Sequence, residues 1–221
     1  MNQYFWTKVD KLRKGIPASN IDPLIRVRES MKEKNCKFKF RVVTEEEIRK
    51  AIKGLKSSTA TGVDWIDSNC LKEVAGVVAP ALAHITNLSI KTQIFPGVYK
   101  VSKIIPLKKS SELSDMNCAS YRPVNLLPLP GKVGERAVFS QIAEYLDGKK
   151  VLHHNHHGGR KGHSTATALI QMYDKWVEEM EEGKLVGALM VDQSAAFDLC
   201  EHSILEGKVD LLLGGGEGGQ V

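Results

Sequence analysis

No apolar run in the 221-residue chain approaches the roughly 20 residues needed to span a bilayer. The first residues, MNQYFWTKVDKLRK, lack the compact apolar core of a secretory signal. These two absences predict an intracellular protein, cytoplasmic or nuclear, with no membrane partner. Cysteine is scarce. Cys36, Cys70, Cys118 and Cys200 lie far apart and form no C-x-x-C pair, which argues against a zinc site and a disulfide framework and points to a reducing compartment. A P-loop is also excluded, because the glycine-rich GGRKG at 158–162 lacks the spacing to a Lys-Ser/Thr pair.

What remains is ordinary for a globular protein: 42% apolar and 26% charged residues. The length suffices for one good-sized core or two small ones. The net charge of +5 is uneven, since residues 1–40 carry ten Lys or Arg against four Asp or Glu. A basic leader suits contact with phosphates, although a solvated linker has the same composition. Pro17 and Pro23 break this lead-in into one or two short helices at most.

Local signals then alternate along the chain. Thr44 and Glu47 form a capping-box pair ahead of Ile48, Ile52 and Leu55 on one helical face, predicting a helix over 44–56. Small residues end it at 57–62. Asp64 and Asp67 flank Trp65 and Ile66 in the following turn, as caps and turns require, with Asp67 or Ser68 starting a short helix. Pro80 to Gln93 reads as an amphipathic helix with Pro80 in its first turn. Residues 98–107 and 121–127 read as the two arms of a β-hairpin with a long basic tip, and residues 131–146 as a helix. HHNHH at 153–157 could hold zinc or nickel, but no Cys or carboxylate lies at ligand spacing, so no metal site is expected there. Ser164 caps a long helix to Gly183 whose stripe of Leu169, Tyr173, Trp176, Val177 and Met180 reads as core.

The stretch 184–202, KLVGALMVDQSAAFDLCEH, carries the chemistry. Leu185 to Val191 is one buried strand long and delivers Asp192 at its end. Taken alone, Asp192 reads as an acid capping a strand-to-helix turn. The D-x-x-x-A-F-D pattern, however, resembles motif A of reverse transcriptases of non-LTR retrotransposons. TGVDWI (61–66), KIIPLKK (103–109), YRPVNLLP (121–128), GKVGERAV (131–138) and GGRKGHST (158–165) look like that family's fingers and palm motifs, in its order.

The resemblance implies an α+β, partial right-hand polymerase fold, with fingers helices, a hairpin and the first palm strand, truncated before the remaining palm strands and thumb. It divides the chain into a basic lead-in (1–40), fingers and upper palm (41–183), the motif A strand with its helix (184–213) and a low-complexity tail (214–221). It implies catalysis and metal binding by Asp192. Lys108, Arg122, Gln193 and Phe197 would hold the incoming nucleotide, and Arg160 and Gly162 would face the template. The implied cofactor is Mg²⁺, and the implied partners are an RNA template, a DNA primer and deoxynucleoside triphosphates. Departures from the pattern are Gln193 for leucine, His156 for glutamine and Gly159 for phenylalanine. The family's paired aspartates, Y/F-A-D-D, do not occur in the sequence. The expectation is therefore a polymerase fragment that does not polymerise alone. A non-catalytic nucleic-acid-binding remnant or a retroelement-derived product without function is the alternative.

Overall fold

The computed structural model describes residues 2–17, 20–31, 37–58, 60–193 and 195–214. Cys36 and most of the glycine-rich tail lie outside them. The chain divides into two units, residues 1–145 with 201–221, and residues 146–200.

In the first unit, the lead-in carries two helices, α1 (Asn2–Lys14) and α2 (Ile25–Met31). The core begins after it. Helix α3 (Glu45–Lys53) starts at the expected cap: Thr44 Oγ1 accepts from Glu47 N–H at 3.3 Å, and Glu47 Oε2 accepts from Thr44 N–H at 2.8 Å. Arg41 pairs with the same Glu47 carboxylate. Helix α4 (Ser68–Glu73) is capped by Asp67, whose Oδ1 accepts from Asn69 and Cys70 N–H, both at 2.8 Å. Asp67 thus has the structural role its turn position suggests. Buried Ser68 ties the preceding loop down, donating from Oγ to Lys56 C=O at 2.8 Å and accepting from Ser58 N–H at 2.8 Å.

Helix α5 spans Ala75–Thr92 and so begins a turn and a half before the expected start. Pro80 sits inside it rather than in its first turn. This is tolerated because Pro80 and Gly76 are both exposed, so the carbonyl that loses its helical donor meets water. The buried stripe of α5 is Ala75, Ala79, Leu82, Ala83 and Thr86. Its alanines let α3 approach closely, and Ile48, Ile52 and Val43 fill the space between the two helices with Leu71, Leu129, Val133 and Ala137. Helix α6 (Leu129–Gly148) contributes the last three. A Cβ at its Gly131 would lie 2.9 Å from Tyr99 Cβ, so the ring packs where only glycine fits.

Two side-chain amides, half-buried Asn87 and buried Gln141, complete this core. Asn87 of α5 accepts from Val43 N–H and donates to Val43 C=O, both at 2.8 Å. Gln141 of α6 accepts from Arg41 N–H at 2.9 Å and donates to Arg41 C=O at 3.1 Å. Each side chain thus mimics a neighbouring strand for the segment entering α3. At the other end of α3, Arg136 Nη1 donates to Gly54 C=O at 3.0 Å, closing one of the helix's orphan carbonyls. Helix α8 (His202–Leu213) packs on α2, and Leu213 C=O accepts from Phe38 N–H at 2.8 Å.

The expected hairpin is present as an antiparallel pair, β1 (Lys103–Lys108) and β2 (Tyr121–Leu126). Residues 97–100 form a 3-10 turn, so β1 starts later than expected. Pro106 stands opposite Pro123. Lys109 N–H donates to Ser120 C=O at 2.9 Å. Since bonded pairs alternate, the proline pair falls on a non-bonded position, where neither missing N–H is needed.

In the second unit, α7 (Thr165–Glu181) starts at Ser164, as expected, with a capping box closed by Thr167. His157 and Asn155 brace the preceding loop. His157 lies 2.9 Å from Thr167 Oγ1 and 2.7 Å from Gln171 Oε1, and Gln171 Nε2 donates to Asn155 Oδ1 at 2.9 Å. Two expectations fail here. The stripe of α7 is not core: Leu169, Tyr173 and Met180 are exposed, and no residue of the helix is fully buried. The first palm strand is not formed either. Residues 185–193 adopt no regular structure, and Leu185, Leu189, Met190 and Val191 are exposed. A lone extended segment has no neighbour to take its backbone hydrogen bonds, and among the described residues the only sheet is the hairpin. The α+β class stands as a mixture of helices with one small antiparallel sheet.

Two measurements probe this core. Gln141→Leu removes both hydrogen bonds to the half-buried Arg41 backbone and should cost about 1 kcal/mol, read as a lower urea midpoint with an unchanged slope. Burial pushes the Glu47 carboxyl up, but hydrogen bonds from Thr44 and Arg41 prevail and hold it below its ordinary value of 4.5. The stability this lends is complete above pH 4.5 and is lost as pH falls through the lower folded value. Glu47→Gln should flatten the acid limb of stability against pH. An acid limb unchanged in the variant excludes this role.

Candidate nucleic-acid interface

The hairpin carries the first group of candidate side chains. Strand residues alternate between faces, so the register places Lys103, Ile105, Leu107, Arg122, Val124 and Leu126 on one face. Ile104, Pro106, Lys108, Tyr121, Pro123 and Asn125 lie on the other. Lys108 and Arg122, both expected at the nucleotide, therefore leave the hairpin on opposite sides.

Lys108 is engaged within the tip. Its Nζ lies 2.6 Å from Asp115 Oδ1 and donates to Ser111 C=O at 3.2 Å. The Lys108 ammonium, by this hydrogen bond and by its charge, holds the exposed Asp115 carboxyl below its ordinary value. Lys109 donates to Ala119 C=O at 2.7 Å. Both tip lysines thus fasten the 109–120 loop to its own strands. Arg122 is exposed on the other face. That face also holds a contact that sequence reasoning missed: Lys103 Nζ lies 5.0 Å from the centroid of the Trp65 ring. Lys103 reads as an ordinary strand lysine in the sequence, and no local spacing rule links it to a residue 38 positions earlier.

The remaining candidates belong to the second unit. Arg160 Nε donates to Asp147 Oδ1 at 2.9 Å, a half-buried ion pair that ties the loop before α7 to the end of α6. Gly162 has φ +76°, a conformation that favours glycine. Asp192 and Gln193 are exposed, and Phe197 is 96% exposed. Ser194, between them, lies outside the described residues.

The donor set can be tested against the implied magnesium. A two-ion site needs bridging carboxylates. Asp192 is exposed, and no group of three or more His, Cys, Asp or Glu converges among the described residues. One exposed carboxylate does not fit such a site, and no step through a metal ion follows from this geometry.

The arrangement offers a two-stranded platform whose tip is closed by Lys108 and Lys109, and a face with Arg122, Lys103 and an aromatic ring. Such a surface can bind phosphates and planar groups. Asp115→Asn should release Lys108 from its ion pair and loosen the tip. Faster amide exchange over 109–120, with the α3 and α5 amides unchanged, is the expected reading.

No family profile matches the chain. Against individual proteins, it is 28% identical over 167 residues to a probable RNA-directed DNA polymerase from transposon BS of Drosophila melanogaster, covering 76% of this chain and 18% of that protein. It is 29% identical over 160 residues to the RNA-directed DNA polymerase from mobile element jockey of the same species, covering 72% of this chain and 17% of that protein. The jockey polymerase of Drosophila funebris is 28% identical over 171 residues, with 77% and 19% covered. The chain thus spans under a fifth of the length of these relatives. Over about three quarters of its own length it is similar to a segment of RNA-directed DNA polymerases of mobile elements, and the resemblance to retrotransposon reverse transcriptases read from its motifs rests on that likeness as well.

Proposed function

We propose that the chain is the fingers and upper-palm segment of an RNA-directed DNA polymerase, and that by itself it binds nucleic acid without polymerising. The observation that carries this is the ordered set of motifs from TGVDWI to the D-x-x-x-A-F-D stretch, together with the similarity to polymerases over three quarters of the chain. In this reading Arg122 meets triphosphate or backbone oxygens, for which its planar fork is suited. Lys108 does so only where its Asp115 partner yields. Arg160 and Gly162 shape a template-facing loop, and Asp192 with Gln193 and Phe197 supplies one side of a nucleotide site. Magnesium, an RNA template, a DNA primer and deoxynucleoside triphosphates are the cofactor and partners of that assembled enzyme.

Catalysis by the isolated chain is disfavoured by its exposed Asp192 and unpaired 185–191 run. Binding is favoured by the ordered hairpin and the basic lead-in. No described helix is long and apolar enough to cross a membrane.

Primer extension on an RNA template with Mg²⁺ should yield no product from the purified chain. Robust extension abolished by Asp192→Ala would overturn the inactive reading. RNA affinity should fall steeply with salt, with a log–log slope that drops by about 0.7 in Arg122→Ala, while Asp192→Asn leaves binding unchanged. An affinity indifferent to salt speaks against the nucleic-acid reading itself.

A further inference from the structure

Trp65 holds an unfavourable position on two counts. Its backbone has φ +59°, in the left-handed region that a bulky side chain rarely adopts. The residue is 76% exposed, so little burial offsets that strain. Strain of this kind persists where the surroundings enforce it. Here the enforcement is visible. A Cβ on Gly62 would lie 3.0 Å from Leu127 C and from Pro128 N, so the 61–66 loop is pressed onto the chain just after β2. Ile66 N–H donates to Asp64 Oδ1 at 3.4 Å, and Asp64 Oδ2 is buried. Burial, and then the Asp64 charge, raises the Tyr99 phenol above its ordinary value. The acid turns inward and the indole turns out.

The exposed ring has company of one sign. Lys103 Nζ lies 5.0 Å from its centroid. Arg122 is exposed on the same hairpin face as Lys103, four residues along the register, or roughly 14 Å. That span fits about two nucleotide steps of an extended single strand.

We infer that Trp65 is a stacking platform for one unpaired base of a single-stranded RNA whose phosphates are held by Lys103 and Arg122. Every base has a planar face, so the contact tolerates any sequence. The left-handed backbone presents the indole away from the loop, and Lys103 supports the ring while its charge remains available to a neighbouring phosphate. The inference deepens the polymerase reading above and rests on it.

The test uses Trp65→Gly in the full chain. Glycine accepts φ +59° without penalty, so this variant is expected to melt at or above the wild-type temperature. Binding is measured to a single-stranded RNA of about twelve nucleotides and to an abasic strand of equal length, for wild type, W65G and W65F. The expected result is roughly tenfold weaker RNA binding by W65G, retention by W65F within about threefold, and no effect of either change on the abasic strand. W65G binding RNA as well as wild type overturns the platform while leaving the polymerase reading in place. Equal weakening on both strands also overturns it, since the ring would then act through the fold or the charge. A W65G protein with unchanged RNA affinity but lost self-association would assign the ring to a protein contact instead. Failure of the wild type to bind RNA at all removes both the platform and the reading beneath it.

Discussion

The segment entering α3 is held by side-chain amides rather than by a sheet. Val43 is buried and the Arg41 backbone is half-buried beside α5 and α6, and their N–H and C=O groups need partners there. Asn87 and Gln141 supply both a donor and an acceptor to the residue they face. With that segment pinned, Val43 can bury its side chain, Glu47 can reach back to cap α3, and Ile48 and Ile52 meet the alanine stripe of α5. Only one donor–acceptor geometry satisfies a bidentate amide, so the packing register of three helices follows from two side chains. A purely apolar contact at these places would not specify it.

The hairpin follows a different logic. It lies outside that apolar cluster, and its strands are held by their own ladder. The facing prolines fit because the register puts both on a non-bonded position, and they remove donors from its outer edges. Its charges divide by face. The lysines near the tip are consumed in closing the loop, whereas Lys103 and Arg122 stand with Trp65 on the side that remains chemically available. A basic tip is therefore weaker evidence for phosphate binding than the strand face behind it.

The second unit shows what an apolar pattern does without a facing layer. The stripe of α7 and the run from Leu185 to Val191 have the period and composition of core, and both are largely exposed. Such surface is costly in water and promotes association. Asp192 shares this condition. Its value as a metal ligand depends on carboxylates and strands brought beside it, and among the described residues none is.

Much of the local structure was legible in the sequence: the capping box at Thr44, the caps at Asp67 and Ser164, and the hairpin arms. Each signal acts between residues three or four apart, or across one turn, and needs nothing remote. The late start of β1, the early start of α5 and the missing strand were not legible, because they depend on which carbonyls meet water and which strand has a neighbour. The candidate site divides in the same way. Sequence determined that an arginine and several lysines sit on a two-stranded hairpin and that an acid follows an apolar run. Only the tertiary structure decided that Lys108 is spent on Asp115, that Trp65 lies beside Lys103, and that Asp192 stands in solvent. Those outcomes turn on the path of the chain between positions far apart, such as the 44 residues from Val43 to Asn87 and the 100 from Arg41 to Gln141, over which short-range rules carry no information.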